Sequence, residues 1–210
     1  MSSIQRQAFT LIELLVVIAV LGILAGILVP TIGSVLSRGK SAASLNEIAH
    51  LRTALESYEQ DFQAYPPSRL SLLGAGGLPA NEGNECLVAC LDTRRGKGPY
   101  HELPPARLQN TDEDQVRGSL SVYTGARDTT ELYELVDPWG NPYIYFSWAE
   151  VLRGRSVPYM IDGRLTTIAP ITTKTKGVLP GEGRYQIWSV GPNGVDDRGE
   201  ADDITSWKGK

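Results

Sequence analysis

Cysteine is nearly absent: Cys86 and Cys90 are the only two in 210 residues, which excludes a disulfide-stapled scaffold. Histidine is as scarce, with His50 and His101 alone, so a zinc site built on nitrogen and sulfur lacks ligands. The net charge is −4, so no broad basic field marks a nucleic-acid binder, and no nucleic-acid partner is expected. The chain contains no G-x-S-x-G, no H-E-x-x-H and no P-loop, patterns that carry acyl transfer, zinc hydrolysis and phosphate binding. With no catalytic constellation in view, an enzyme is not expected. No internal repeat is visible either.

What is present begins at the N-terminus. Phe9 to Val29 is an apolar run of 21 residues, about 31 Å long as a helix and matched to the hydrocarbon core of a bilayer. Ala25 and Gly26 could mimic a signal-peptidase site, but an uninterrupted run of this length favours a membrane span over a signal peptide. Arg6 lies before the run and Arg38 and Lys40 after it, so the positive-inside rule does not choose an orientation. One residue is out of place. Glu13 puts a carboxylate in hydrocarbon, which is costly and usually functional; a glutamate this near the helix end could also reach back to the interface. Gly22 and Gly26 are four apart, which lets two helices approach closely in lipid, although glycine is common in membrane helices in any case.

Pro30 follows the run and predicts a kink rather than a stop. Beyond it Ile48, Leu51, Leu55, Tyr58, Phe62 and Tyr65 recur at alternating three- and four-residue steps, an apolar stripe on a helix. Pro66-Pro67 ends it, so residues 9 to about 64 read as one long helix. Most of the 22 glycines and 13 prolines follow Pro66, which predicts a loop-rich second half. Within it "ECLVACLDTRR" forms a short helix with Leu87, Cys90 and Leu91 inward, and "PPARLQNTDEDQVRG" reads as loop. Cys86 and Cys90 are either two buried thiols or an oxidised pair whose four-residue spacing is marginal for a disulfide. "DPWGNPYIYFSW" is a turn and then an aromatic strand from Tyr143 to Trp148, with Trp139 anchoring the sheet. "VPYMIDGRLTTIAPI" is a hairpin turning at Asp162-Gly163, and "RYQIWSV" is another strand. The end of the chain is turn chemistry dense in acids: Asn193, Asp196, Asp197, Glu200, Asp202 and Asp203 against one Arg198. Its spacing is not that of an EF-hand, and by pattern alone it is a solvated acidic tail.

"AFTLIELLVVIAVLGILAGILVP" resembles the leader junction and first helix of type IV pilins and type II secretion pseudopilins. "DPWGNPYIY" and "WSVGPNGVDDRGEADDI" resemble the signature and the C-terminal calcium loop of the major pseudopilins of type II secretion. The resemblance covers residues 1–66 and 137–207. It implies a pilin-like α+β fold, in which a long N-terminal α-helix packs on a small antiparallel sheet with a C-terminal calcium-type loop. It also implies cleavage by a prepilin peptidase between Ala8, where the family usually carries Gly, and Phe9, which becomes N-methylated. Glu13 then pairs with the amine of a neighbouring chain and sets the register of a filament, with Gly22, Gly26 and Pro30 shaping the packing of the helices. Calcium is held by Ser189, Asn193 and Asp203, with Asp196 or Asp197 compensating for Asn193, which stands where the family often has Asp.

The expected organisation is a leader at 1–8, a transmembrane helix at 9–29, its amphipathic continuation at 30–66, an irregular insertion with a short helix at 67–136, and a β-sheet head with an acidic loop at 137–210. The resemblance implies a structural subunit, single-pass in the bacterial inner membrane with its head in the periplasm. It is polymerised into a homo-oligomeric filament beside other pseudopilins and secretion-platform proteins. The alternative is a pilin of a type IV or competence pilus. Such pilins often bracket a C-terminal loop with a disulfide, whereas both cysteines here are mid-chain.

Overall fold

The computed structural model describes residues 11–93, 96–118, 131–173 and 177–207, with side chains at 27–32 left aside. The expected leader, Ala8 and Phe9 lie outside the described residues, as does the side chain of Pro30. The chain divides into two compact units, one ending at Gly39 and one beginning at Lys40. One helix, α1 (Leu11–Phe62), enters both, and it continues through Pro30.

In the first unit the described side chains of α1 are exposed from Leu11 to Gly26. Among the described residues no helix is long and apolar enough to cross a membrane. The described apolar run, Leu11–Gly26, is 16 residues, or about 24 Å, against the roughly 20 residues that a bilayer requires. The expected span, 9–29, extends beyond it at both ends.

The second unit is the head. The apolar stripe of α1 turns inward as its spacing predicts: Ile48, Leu51, Leu55 and Tyr58 are buried, and Phe62 and Tyr65 pack against the same core. Gln63 ends the helix in a left-handed conformation, with its N–H bonded to the Glu59 carbonyl at 2.7 Å, an αL stop placed just before Pro66-Pro67. A 3₁₀ turn at Leu70–Leu73 follows, then β1 (Ala75–Gly76) and α2 (Glu82–Leu91). The cysteines of α2 are two free, buried thiols. Gly83 is required there, because a Cβ would run into the Tyr145 carbonyl and the Tyr159 hydroxyl. Its absence lets α2 lie directly on the sheet.

The strands are short and all antiparallel: β2 (Leu108–Gln109) with β4 (Glu134–Leu135), β1 with β3 (Arg117–Gly118), β6 (Val157–Ile161) with β7 (Arg164–Ile168), and the central ladder of β5 (Ile144–Ser147), β8 (Tyr185–Ser189) and β9 (Ile204–Thr205). The expected β6–β7 hairpin forms, with Asp162 and Gly163 both at positive φ, the conformation a two-residue I′ turn demands. The expected aromatic strand stops one residue early, because Trp148 opens a short helix, α3 (Trp148–Arg153).

The described part of 67–136 is mostly irregular in backbone apart from α2 and short strands, yet it builds much of the core. Leu70, Leu73, Leu87, Leu91, Leu103, Leu108 and Leu135 pack in one cluster with Leu51 and Leu55 of α1 and with Tyr143, Tyr145 and Ile187 of the sheet. Asn84 ties these pieces together. Its amide donates to the carbonyls of Leu135 (3.0 Å) and Tyr143 (2.6 Å) and accepts from the Leu135 N–H (2.8 Å). A buried side chain so fully satisfied specifies one arrangement of α2, β4 and β5.

Candidate functional site

The turn "DPWGNP" and the C-terminal loop form one polar hub around Asp137, which is 1% exposed. One carboxylate oxygen accepts from the N–H groups of Trp139 (2.9 Å) and Asn141 (3.0 Å). The other accepts from the Ser189 hydroxyl at 2.5 Å, and Ser189 Oγ in turn accepts from the Gly191 N–H at 3.1 Å. Burial pushes the Asp137 carboxyl above its ordinary range, while the Ser189 hydroxyl and these N–H groups pull it back. Gly140 stands at φ 95°, so the turn needs glycine there. Asn141 reaches the other way, its oxygen accepting from the Asp162 N–H at 2.7 Å. Trp139 is partly buried against the core, the anchoring role its sequence position suggests.

The acidic loop between β8 and β9 is organised around Asn193. Its amide nitrogen donates to Asp197 Oδ2 (2.9 Å) and Asp202 Oδ1 (2.6 Å), its backbone N–H donates to Asp202 Oδ2 (3.0 Å), and its oxygen accepts from the Val195 N–H (2.7 Å). Asp196 Oδ1 accepts from the Trp188 indole and from the Arg198 N–H, each at 3.1 Å. Asp203 lies beneath, 4% exposed; its Oδ2 accepts from the Gly199 N–H at 2.7 Å, and its Oδ1 is buried with no hydrogen-bond partner. Burial first, then Asp196, Asp197 and Asp202, push its carboxyl up to about 7. Gly191 is at φ 68°, and a Cβ there would strike the Asp202 carbonyl, so the loop closes only with glycine.

Asn193, Asp196, Asp197 and Asp203 thus lie on the loop, and Ser189 ends the strand that enters it. The Ser189 hydroxyl is committed to Asp137, and Asp196 to Trp188. Sequence reasoning missed the structural centre at Asp137 and the role of Asp202. A carboxylate opening a Pro-Trp-Gly turn is a signal for the first, since such side chains accept from the N–H groups of their own turn. At the other end of the chain Glu13 is exposed in the first described turn of α1. A Cβ at Gly22 or Gly26 would meet nothing within 4 Å.

A long helix with an apolar first half, carried into an α+β head with small antiparallel ladders, defines the class of pilin-like subunits. Residues 5–29 match the prokaryotic N-terminal methylation motif. The chain is 31% identical over 143 residues to the type II secretion system core protein G of Pseudomonas aeruginosa, covering 68% of this chain and 75% of that protein. It is 26% identical over 140 residues to the Escherichia coli core protein G, covering 67% and 71%. It belongs to the type II secretion system core protein G family. It is also 34% identical over 89 residues to the type IV major fimbrial protein FimA of Dichelobacter nodosus, covering 40% of this chain and 55% of that protein. No solved structure matches the chain.

Proposed function

We propose that this chain is the major pseudopilin subunit of a type II secretion system. It is cleaved between Ala8 and Phe9, N-methylated on Phe9, anchored in the inner membrane by its N-terminal helix, and polymerised into a periplasmic filament. The observation that carries this reading is the match of residues 5–29 to the methylation motif at the head of a helix whose side chains at 11–26 are exposed and, Glu13 apart, apolar. Such a surface needs lipid or other copies of the same helix to cover it. Cleavage creates an α-amine on Phe9, and methylation leaves it basic. In lipid that cation and the carboxylate of Glu13 each carry a desolvation cost, which pairing between neighbouring chains offsets. The role is structural: the side chains position neighbours rather than reacting atoms.

The C-terminal loop is proposed to hold calcium. Its donors are hard oxygens, the chemistry calcium selects, and the buried, unpartnered Oδ1 of Asp203 is the atom that most needs a cation. Asn193 and Asp203 would supply side-chain oxygens, with Asp197 and Asp202 at hand. Bound calcium would cancel repulsion among the loop carboxylates and hold the loop against the β8–β9 ladder.

The test of the main reading is mass spectrometry of the membrane form, where a chain beginning at N-methylated Phe9 is expected. An intact Met1 start, or a cut near Ala25, would overturn it. Restoring glycine at Ala8 should speed cleavage. A second reading, a type IV pilus subunit, rests on the FimA match. Deleting the gene separates the two, since loss of secreted enzymes with normal surface pili supports the first, and the converse supports the second.

A further inference from the structure

Four carboxylates from three separated stretches of chain meet inside the head, away from the C-terminal loop. Glu85 lies in the first turn of α2, Asp112 and Asp114 in the loop after β2, and Glu134 in β4. Glu85 and Glu134 are 1% and 0% exposed, and Asp114 is 4% exposed. Oxygens of Glu85, Asp112 and Glu134 all lie within 4.8 Å of one another. Both oxygens of Glu85, both of Asp112, Asp114 Oδ1 and Glu134 Oε1 are buried and accept from no N–H or hydroxyl; only a proton on Glu85 would join it to Glu134 and Asp114, which lie within hydrogen-bond reach of it. Among the described residues no lysine, arginine or histidine makes an ion pair with any of the four; Arg117 acts on Asp114 only at a distance.

The remaining oxygens are held in place by the backbone. Glu134 Oε2 accepts from the Thr111 N–H at 2.6 Å, and Asp114 Oδ2 accepts from the Leu78 N–H at 2.6 Å. The Asn110 side chain bridges its own loop, accepting from the Asp114 N–H (3.0 Å) and donating to the Asp114 carbonyl (2.8 Å). Glu134 and Asp114 are thus each oriented by one oxygen and left with the other unpaired, while Glu85 and Asp112 have both oxygens free. Outer contacts of this kind support metal ligands. Asp114 also lines an open depression of about 240 Å³ with Asn110, Glu113, Gln115 and Glu131.

We propose that Glu85, Asp112 and Glu134, with Asp114 beside them, form a second divalent-cation site, and that its ion is calcium. A buried carboxylate whose two oxygens both lack partners is among the most expensive groups a fold can contain, and only a cation or a proton removes that cost. An all-oxygen donor set excludes the metals that prefer nitrogen and sulfur. A calcium ion sits about 2.4 Å from each ligand, so opposed ligands lie about 4.8 Å apart, whereas magnesium's shell is about 4.2 Å across. Oxygens that lie within 4.8 Å of one another fit inside either shell; calcium is favoured because it accepts several carboxylates in a flexible shell, whereas magnesium keeps most of its waters. The bound cation would clamp α2, the loop after β2, and β4 to one another within the stretch 67–136.

The rival is proton sharing, in which Glu85 stays neutral against Glu134 and Asp114. Burial, then Asp114 and Glu134, push the Glu85 carboxyl strongly upward, and burial raises Asp112 to about 6. The full detergent-solubilised chain separates the two, with Asp203→Asn introduced to silence the C-terminal loop. In that background calcium at ten times its Kd should raise Tm by about 3–6 °C over chelator at pH 7.5, and magnesium should act weakly. Adding Glu85→Gln should abolish the rise without lowering Tm in chelator, because it removes a buried charge. If Glu85→Gln does not fold, Asp112→Asn in the otherwise unaltered chain should reduce the calcium stoichiometry measured by titration calorimetry by one ion. A Tm indifferent to calcium in the Asp203→Asn background, or a stoichiometry unchanged by Asp112→Asn, would overturn the proposal in favour of shared protons.

Discussion

Asp203 concentrates at one residue the tension in the C-terminal loop. Its carboxyl is pushed up to about 7 by burial and by Asp196, Asp197 and Asp202, against about 3.9 for an unfolded aspartate. The folded state therefore holds the proton more tightly than the unfolded state does. The resulting penalty is absent below about pH 4, grows as pH rises toward 7, and is complete above it. In chelator the stability of the chain should fall across that window; calcium should restore it at pH 7.5 and matter little at pH 4. Asp203→Asn should flatten the part of the pH profile that this group causes, and should leave the chain in chelator at pH 7.5 at least as stable as the unaltered one. Thermal unfolding in an Asp112→Asn background, with the buried cluster disabled, isolates this loop. A calcium response there that survives Asp203→Asn would remove Asp203 from the ligand set.

At the scale of elements, what could be read in the sequence follows how local its cause is. The stripe from Ile48 to Tyr65 was legible because one helix carries all its members at a 3.6-residue period. The hairpin was legible because Asp162-Gly163 can occupy positive φ at both turn positions. The buried carboxylates were not legible: Glu85, Asp112 and Glu134 lie on different elements, and each looks like an ordinary surface acid in its own stretch. Only the packing of α2 on β4 and β5, fixed by Gly83 and Asn84, brings them together. The same packing hid the importance of 67–136, whose leucines have no single period yet fill the core. The energetic consequence is measurable on α1. Leu55 is 0% exposed in the main core, so Leu55→Ala should cost about 2–5 kcal/mol. Gln60 is exposed on the same helix, so Gln60→Ala should stay within about 0.5 kcal/mol of the parent. Denaturant unfolding of both variants checks the contrast, and equal effects would mean that the stripe does not hold the head to its helix.

At the scale of the whole molecule, the two units pose different physical problems. The head, from Lys40 on, buries its own core. The described residues before Gly39 bury almost nothing: Leu11 is 81% exposed, Ile12 69% and Ile23 65%. Partners outside the chain must therefore cover this surface, and the side chains on it specify how. Glu13→Ala makes the helix more apolar, so membrane insertion should be retained, and with Ala8 and Phe9 untouched the leader should still be cleaved. If the proposed pairing holds, what should fail is assembly, because the amine on a neighbouring Phe9 would lose its partner and the stagger between helices would lose the pairing that selects it. Gly22→Leu asks a separate question. A Cβ at Gly22 meets nothing in its own chain, so the substitution should not disturb the subunit, and any loss of filaments would come from a second helix approaching that face. Both variants should show normal processed mass in membranes, and both should yield few or no filaments by electron microscopy after overexpression. Normal filaments from Glu13→Ala would sink the charge-pairing account, and normal filaments from Gly22→Leu would show that the glycine face is not where helices meet.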